Sequence, residues 1–459
     1  MPRRADVTRM IRASVAVMIA SLGGLISSVC VSSEPGKNPV FAHYLMCCPY
    51  AGQQSRTADY AAEISMARDA LIDGFVLNIG AWEKEPGYRF RTDLMFSAAD
   101  ADKRGFKLFI SADNATDLSA EEVVAIVERY HNRPSYFRYG GKTVLSTFGG
   151  TLSWRKEIRS RLAEKGIEIF FVPNIREVES LPKLPGAWIE TPNTFVLSMI
   201  AQENRDIDGY FYFGAAGNFE DVSNSSRIAS QIFKARKLIY MAPVSPAYKG
   251  NGPNNRVFEY EGLRGMIAQW NAAISAKADW VEIVTWNDWG ESSYVRLFGG
   301  PQHEAIWNGN WGSLPAHDAF LMLSKYYIEW FKTGRQPKVN GKRVYIVARG
   351  EDSYNCIFRR ETPGKTCPQG SETLRKDIYL VAEVDTPARI TLTVDGSNLD
   401  ASINAGVSSL SMAVEKAPSK ISVALQYGTT FDEKSITMES LRNADDLNPT
   451  AITLEFNRP

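Results

Sequence analysis

The chain has 459 residues, with 52 Lys+Arg against 52 Asp+Glu and no tail that concentrates one sign of charge, so it lacks the electrostatic footprint of a nucleic-acid or anionic-membrane partner. Hydrophobic residues at 44% and charged residues at 23% exclude disorder as the main state, and the length is ample for a large core. Aromatics reach 11%, with 10 Trp and 19 Tyr, a load that suits a protein handling a large uncharged ligand and equally suits a big core.

Arg3, Arg4, Arg9 and Arg12 precede an apolar run from Ala13 to Val31 that ends in Val-Ser-Ser before Glu34-Pro35-Gly36. A basic segment, an apolar segment and small residues near a cleavage point predict a signal peptide over 1–33, cut after Ser33, and hence a secreted or periplasmic protein. The alternatives are an uncleaved membrane anchor and, through Cys30, lipidation, against which the large Val29 stands. Beyond Val31 no stretch approaches the ~18 apolar residues of a second span, so no membrane partner is expected after leader removal. Cys47, Cys48, Cys356 and Cys367 then remain, an even number that favours disulfides in an exported chain. Cys356 and Cys367 enclose a polar, Pro- and Gly-containing segment and read as a loop staple. Cys47 and Cys48 are neighbours, so their pairing requires a strained ring, and free buried thiols are the alternative.

From Val40 onward, short β-branched and aromatic runs alternate with helical patterns. Eight runs, Val40–Leu45, Gly74–Gly80, Lys107–Asp113, Thr143–Gly149, Glu168–Asn174, Asp208–Gly214, Lys237–Pro246 and Trp280–Trp286, recur about every 34 residues. Helical repeats share that period, but a strand-like run in every unit decides for strand-and-helix alternation. Helical periodicity is clearest over Thr57–Leu71, Ser119–Tyr130, Leu152–Lys165 and Tyr260–Ala276, and a last helix over Ala316–Lys332 stops at Gly334. The alternation predicts an α/β fold, a (β/α)8 barrel of the TIM type over 39–335. Beyond Arg335, the runs Arg343–Ala348, Ile378–Val384, Ala388–Val394, Ile421–Leu425 and Ala451–Phe456 are separated by Asp/Gly/Ser turns and predict a small antiparallel β-sandwich over 336–459. Few aromatics there make it a structural companion first and a glycan-binding module second.

In such a barrel the reactive groups sit at the C-terminal strand ends and on the loops that follow. The runs end in His43-Tyr44, Asn78, Asp113-Asn114, Asn174, Ser245 and, at the eighth, Trp286-Asn287-Asp288-Trp289-Gly290-Glu291. Asp288 and Glu291 are two carboxylates three apart, and glycosidic cleavage needs one group to protonate the leaving oxygen and one to activate water or attack carbon. Indole faces such as Trp286 and Trp289 stack on sugars and raise a neighbouring carboxyl's pKa so that it can act as an acid. The structural alternative is that Asp288 or Glu291 caps the following helix and both Trp residues are core. The next segment, with Tyr294, Gly299, Gly300, Trp307, Gly309, Trp311 and Gly312, can wall a sugar cleft or pack over the barrel end. The candidate substrate contacts are His43, Tyr44, Asn78, Asp113, Asn174, Trp286, Asn287, Trp289 and Tyr294. Capping is an equal role for Asp113, and a hydrogen-bonded structural role is the commoner one for His43. Asp73 and Asp208 stand in Ile-Asp-Gly-aromatic contexts at strand entrances, the stability end, where turn formation is the default.

Other chemistries fall away. His43, His131, His303 and His317 show no paired metal spacing, so neither a metal nor a cofactor is expected. Gly141-Lys142-Thr143 precedes a strand, and Tyr136 holds the place where a phosphate loop needs its first glycine. No Gly-x-Ser-x-Gly elbow is present.

Val40-Phe41-Ala42-His43-Tyr44, Asp73-Gly74-Phe75-Val76-Leu77-Asn78-Ile79-Gly80, Lys107-Leu108-Phe109-Ile110-Ser111-Ala112-Asp113, Leu145-Ser146-Thr147-Phe148-Gly149-Gly150, Pro243-Val244-Ser245-Pro246 and Thr285-Trp286-Asn287-Asp288-Trp289-Gly290-Glu291-Ser292 together resemble glycoside hydrolase family 71, the α-1,3-glucanases or mutanases. The resemblance runs in order over roughly Pro39 to Gly334 and includes Tyr326-Tyr327-Ile328-Glu329-Trp330-Phe331-Lys332-Thr333-Gly334. It implies endo-acting, inverting hydrolysis of α-1,3-glucan on a (β/α)8 barrel with an attached β-sandwich. It places the catalytic pair on Asp288 and Glu291, with Glu291 as general acid and Asp288 as base for water. It also matches Asp73 to a family aspartate implicated in activity, against the position of Asp73 at the stability end. The chain departs from the family after the sixth run, where Phe213-Gly214-Ala215-Ala216-Gly217 replaces a Trp and a polar or acidic residue, and in its Cys47-Cys48-Pro49 loop. The Arg-rich leader suits a bacterial member.

The expected partner is an α-glucan polysaccharide, met by a monomer. Two other readings stand beside the first: a hydrolase of another α-glycan, and a non-catalytic glycan-binding protein that keeps the cleft but lost turnover through the change after the sixth run.

Overall fold

The computed structural model describes residues 38–181, 190–298, 303, 314–358, 366–437 and 447–456. The leader and Gly299, Gly300, Trp307, Gly309, Trp311 and Gly312 lie outside the described residues.

Strands β1 (Val40–Leu45), β2 (Gly74–Ile79), β3 (Lys107–Asp113), β4 (Arg138–Tyr139), β5 (Lys142–Phe148), β6 (Ile169–Phe171), β7 (Gly209–Phe211), β8 (Ile239–Val244) and β9 (Trp280–Ile283) form one curled sheet. It is parallel except for β4, which pairs antiparallel with β5. From β5 the neighbours run β3, β2, β1, β9, β8, β7, and β6 pairs with β5. Helices α1 (Thr57–Asp69), α2 (Gly87–Ala101), α3 (Ala120–Tyr130), α4 (Leu152–Glu164), α5 (Thr194–Glu203), α6 (Phe219–Ala235), α7 (Arg264–Ser275) and α8 (Asp318–Thr333) alternate with the strands. Of these, α2, α5 and α6 are not among the segments named from the sequence. The buried face of α6 mixes Ser223, Ser225, Ser226 and Ser230 with Phe219, Val222 and Phe233.

The sequence predicts a closed (β/α)8 barrel, whereas the structure has a curled parallel sheet whose ladder is irregular between β6 and β7. Pro173 follows β6 and has no N–H to continue a ladder. The margins are joined by an isolated bridge between Asn174 and Phe211 and by hydrogen bonds from Asp208 N–H to Phe171 O (2.9 Å) and from Phe211 N–H to Pro173 O (3.1 Å).

Aromatic rings fill the lower interior: Phe41 meets Phe109 at 5.0 Å and Phe137 at 5.0 Å, and Phe137 meets Trp280 at 5.3 Å. Beneath them, three aspartates repeat one device at the N-terminal strand ends. Asp73 N–H donates to Val40 O (2.8 Å) while Asp73 Oδ2 accepts Val40 N–H (2.8 Å). Asp208 makes the same exchange with Phe171 (2.9 and 2.9 Å), and Asp279 with Tyr240 (3.0 and 3.0 Å). Each aspartate thus extends a ladder by one side-chain rung where the next strand has not yet begun. Asp73 also holds Lys332 of α8 (2.7 Å), and Asp208 holds Arg159 of α4 (2.9 Å).

The C-terminal part forms two four-stranded antiparallel sheets. One runs β14 (Gly406–Ala413), β11 (Asp377–Val384), β10 (Lys342–Ala348), β17 (Thr450–Phe456); the other runs β13 (Ser397–Ile403), β12 (Ala388–Val394), β15 (Lys420–Tyr427), β16 (Thr430–Thr437). Alternate side chains of the first sheet go to different cores. Val344, Ile346, Ile378 and Leu380 pack with Ile390, Leu392, Ile421 and Val423 of the second sheet. Tyr345, Val347, Tyr379 and Val381 join the core of the curled sheet and its helices. Burial on both faces explains why β10 and β11 read as nearly continuous apolar runs, while β13, β14 and β16, with alternating exposed positions, escape prediction. A short helix α9 (Glu351–Ile357) follows β10. Disulfides join Cys356 to Cys367 and also Cys47 to Cys48, which decides the question the sequence leaves open.

Because Asp73 and Asp208 share no partner, Asp73→Ala and Asp208→Ala should each lower unfolding free energy by about 1–3 kcal/mol and the double variant by the sum. Denaturant unfolding midpoints check this, and clear non-additivity would contradict two independent clasps.

Candidate active site

At the C-terminal edge of the sheet, the chain after β9 turns over the end of β1, and Asn287 fixes the crossing. Its Oδ1 accepts Leu45 N–H (2.8 Å), and its Nδ2 donates to Leu45 O (3.0 Å) and Cys48 O (3.0 Å). Trp286 N–H donates to His43 O (2.7 Å). The Trp286 indole donates to Glu63 Oε2 (3.1 Å) behind the sheet, where Glu63 also holds Arg296 (2.7 Å). The Trp289 indole donates to Cys48 O (2.9 Å), and Tyr294 donates its hydroxyl to Pro315 O (2.6 Å).

Tyr44, Trp286, Asn287 and Tyr294 are 0% exposed and Trp289 is 1% exposed. The structure therefore corrects five expected sugar contacts: these side chains brace the site from behind. Tyr44 alternates to the outer face from His43 and packs on Tyr60 of α1 and on Phe75. Each indole spends its one N–H on an internal acceptor and both of its faces on neighbours, so the Trp residues are core, as the structural alternative has it.

Of this turn, Glu291 lines the cleft, and Asp288, three residues before it, is partly buried beside it, as Glu291 is. Asp288 N–H donates to Thr285 Oγ1 (2.8 Å), and Asp288 Oδ1 accepts Glu291 N–H (2.9 Å), so Asp288 caps the turn that carries its partner. Glu291 Oε1 accepts the Tyr248 hydroxyl (3.0 Å), which itself accepts Asn254 Nδ2 (2.5 Å). Burial raises the Asp288 carboxyl above the ordinary range, against hydrogen bonds from Glu291 and Gly290 N–H and the nearby His43 imidazole. Burial and then the Asp288 charge raise Glu291 further, while Tyr248 and Arg256 hold it back. The two titrate as a pair, with Glu291 the weaker acid.

The cleft, of about 190 Å³, is walled opposite Glu291 by Phe148, Asn174, Glu190 and Phe213. Glu190 pairs with Arg256; burial raises its carboxyl against that guanidinium, and its charge adds to the raising of Glu291. Arg176 lies 4.8 Å over the Phe148 ring. Phe213, which stands where the resemblance leads one to expect Trp, meets His43 at 5.2 Å and Phe148 at 5.1 Å. Sequence reasoning missed Glu190, Arg176, Arg256, Tyr248 and Asn254. Tyr248 and Arg176 stand just past the ends of β8 and β6, so the strand-end rule could have found them, but Glu190 and Arg256 come from loops without a pattern.

Of the remaining candidates, His43 Nδ1 lies 2.6 Å from Glu282 Oε1, both buried, inside the sheet above Phe41. Asn78 donates to Asp113 Oδ2 (3.2 Å) while Asp113 Oδ1 caps Ala115 N–H (2.9 Å), and burial raises the Asp113 carboxyl. Asn174 is in the cleft wall, and Ser245 is buried with its N–H on Gln269. Asp73 lies at the opposite end of β2, in the clasp to Val40, and is not brought to the site. Among the described residues, no three His, Cys, Asp or Glu side chains are grouped so as to hold a metal.

The sequence profile of glycosyl hydrolase family 71 matches residues 36–457. The chain is 27% identical over 423 residues to a glucan endo-1,3-alpha-glucosidase of Schizosaccharomyces pombe, covering 88% of this chain and 92% of that protein. It is 25% identical over 401 residues to a mutanase of Penicillium rubens, covering 82% and 80%. It is 25% identical over 409 residues to an ascus wall endo-1,3-alpha-glucanase of S. pombe, covering 82% and 85%.

Two substitutions should move Glu291 in opposite directions. Asp288→Asn removes a like charge and lowers its titration, whereas Tyr248→Phe removes a donor to the carboxylate and raises it. A carboxyl-carbon NMR titration reads both, and movement in the same direction would contradict the arrangement.

Proposed function

This chain belongs to glycosyl hydrolase family 71 and is a glycoside hydrolase, and from that premise we propose that it is an exported, endo-acting and inverting α-1,3-glucanase. Glu291 protonates the leaving glycosidic oxygen and Asp288 takes the proton of the attacking water. The observation that carries this reading is the pair itself: two carboxylates on one braced turn, Glu291 lining the cleft and Asp288 three residues before it, both raised by burial, with Glu291 raised further by the Asp288 charge. A raised carboxyl keeps its proton near neutrality and can donate it; the lower one of a pair ionises first and can act as base. Once Glu291 has given up its proton, the Tyr248 hydroxyl at 3.0 Å stabilises the new carboxylate.

On the opposite wall, Asn174 and Arg176 offer donors to sugar hydroxyls, and the Phe148 and Phe213 rings offer apolar faces. Phe213 keeps an aromatic ring where the family has Trp, so the change after the sixth run leaves an apolar face on that wall. The bridge at Asn174 and the flanking backbone bonds support reading the curled sheet as a full (β/α)8 barrel, with 39–335 as its domain and 336–459 as a β-sandwich companion. The basic and apolar N-terminus supports export.

Activity should follow a bell in pH, rising as Asp288 loses its proton and falling as Glu291 loses its own. Glu291→Gln and Asp288→Asn should each lower kcat on α-1,3-glucan by about 10²–10⁴-fold, read as reducing-end release with α-1,4- and β-1,3-glucans as controls. Full activity in both variants overturns the site. NMR of the first product should show the β-anomer, and the α-anomer would overturn inversion.

A further inference from the structure

Beside the cleft lies a larger hollow of about 580 Å³ that the catalytic pair does not use. Arg256 lines it and pairs with Glu190 of the cleft wall, so the two are neighbours across that ion pair. One side of the hollow is the loop after β8. The other is a segment from the C-terminal part, brought across and tied down. Gln369 N–H donates to Asn255 O (3.0 Å) and Val257 N–H donates to Gln369 O (2.9 Å), a strand-like rung between the two. Gly370 follows at φ +90°, where a Cβ would come within 2.5 Å of Val257 O, so this approach of two backbones requires glycine. The Cys356–Cys367 disulfide anchors the segment just before Gln369, and Val257, Leu374 and Leu447 form a small apolar cluster with Cys356. A disulfide, a backbone rung and a satellite core thus serve to hold a wall against a loop at the catalytic edge.

The lining says what that wall would meet. All but one of its ionised groups are paired among protein groups: Arg256 with Glu190, Arg375 with Glu261 (3.1 Å) and Glu259 with Arg349 (3.4 Å), while Glu220 stands exposed in the lining. Internally paired charges present little net field to a charged polymer, but they keep hydrogen-bonding capacity for hydroxyls, next to the partly buried Phe258 ring. That is a lining for an uncharged polyhydroxylated chain. The cleft alone is smaller than the ~300–1,000 Å³ of sites that enclose a small ligand, and a polymer cut internally must continue beyond it.

We propose that the hollow is a distal part of the substrate site and takes the stretch of glucan chain that continues past the sugars held in the cleft, with Gln369 as an exposed contact. The proposal rests on the α-1,3-glucanase reading. Binding energy from remote sugars lowers KM for long chains and gives nothing to a substrate too short to reach them.

The test compares a long α-1,3-glucan with a short α-1,3-linked oligosaccharide that fills the cleft alone, using wild type, Gln369→Ala and Gln369→Trp. The Gln369 side chain is exposed, and its tie to the loop runs through backbone atoms, so both variants keep the fold. Gln369→Trp, which puts a bulkier side chain in the lining of the hollow, should lower kcat/KM on the long chain relative to the short one by about tenfold, through KM, and Gln369→Ala by about threefold. An unchanged ratio of the two rates overturns the distal site, whether both rates hold or both fall together. Wild type that cleaves neither substrate overturns the glucanase reading and the proposed occupant with it, an outcome distinct from an active enzyme with an unchanged ratio.

Discussion

The geometry of the site hangs on the crossing of the chain after β9 over the end of β1. A buried amide has a limited set of hydrogen bonds to give, and Asn287 spends one acceptance and two donations on the backbone of Leu45 and Cys48. The residue on each side is pinned as well, Trp286 through its N–H to His43 O and Asp288 through its N–H to Thr285 Oγ1. With the backbone fixed and the indoles of Trp286 and Trp289 locked to Glu63 and Cys48, Asp288 and Glu291 have little freedom left. Preorganisation of this kind lets a carboxylate pair act without reordering itself at each turnover.

The parallel sheet divides stability from chemistry along its axis. At the N-terminal end, aspartates complete the ladders beneath a plug of aromatic rings, and their charges are met by N–H groups and by Lys332 or Arg159. At the C-terminal end, burial outweighs the donors that the carboxylates meet. Asp288, Glu291, Glu190 and Asp113 are all raised, and in each burial is the first cause. The same kind of side chain therefore serves as a clasp at one end and stands with a raised pKa at the other. What differs is whether a full set of donors accompanies it into the interior.

The C-terminal sheets are not a freely hung attachment. The strands β10, β11 and β17 are buried on both faces, one against the second antiparallel sheet and one against the helices around the parallel sheet. Asp318 at the start of α8 accepts Thr453 N–H (2.8 Å), and His317 contacts Asn448 (2.7 Å). This shared core gives the stapled segment around Gln369 a rigid base from which to reach the loop after β8.

Much of this was legible in the residues alone. The strand starts and the clearest helices followed from alternation and period, because local backbone preference and the buried face of an element are written in neighbouring residues. Asp288 and Glu291 were legible for the same reason, standing three apart at the end of the eighth run. The sequence could not say which way a ring faces, because a strand turns alternate residues to opposite sides and only its neighbours decide which side is the core. Trp286, Trp289 and Tyr294 look like sugar platforms in sequence and are braces in space. Nor could it bring Tyr248 to Glu291 across 43 positions, or Glu190 to Arg256 across 66, since those meetings come from the curl of the sheet. The sequence by itself determined the kind of fold and the family and singled out the carboxylate pair proposed here; the tertiary structure decided which groups surround that pair and so how strongly it holds its protons, because burial and charge proximity are properties of space and not of order along a chain.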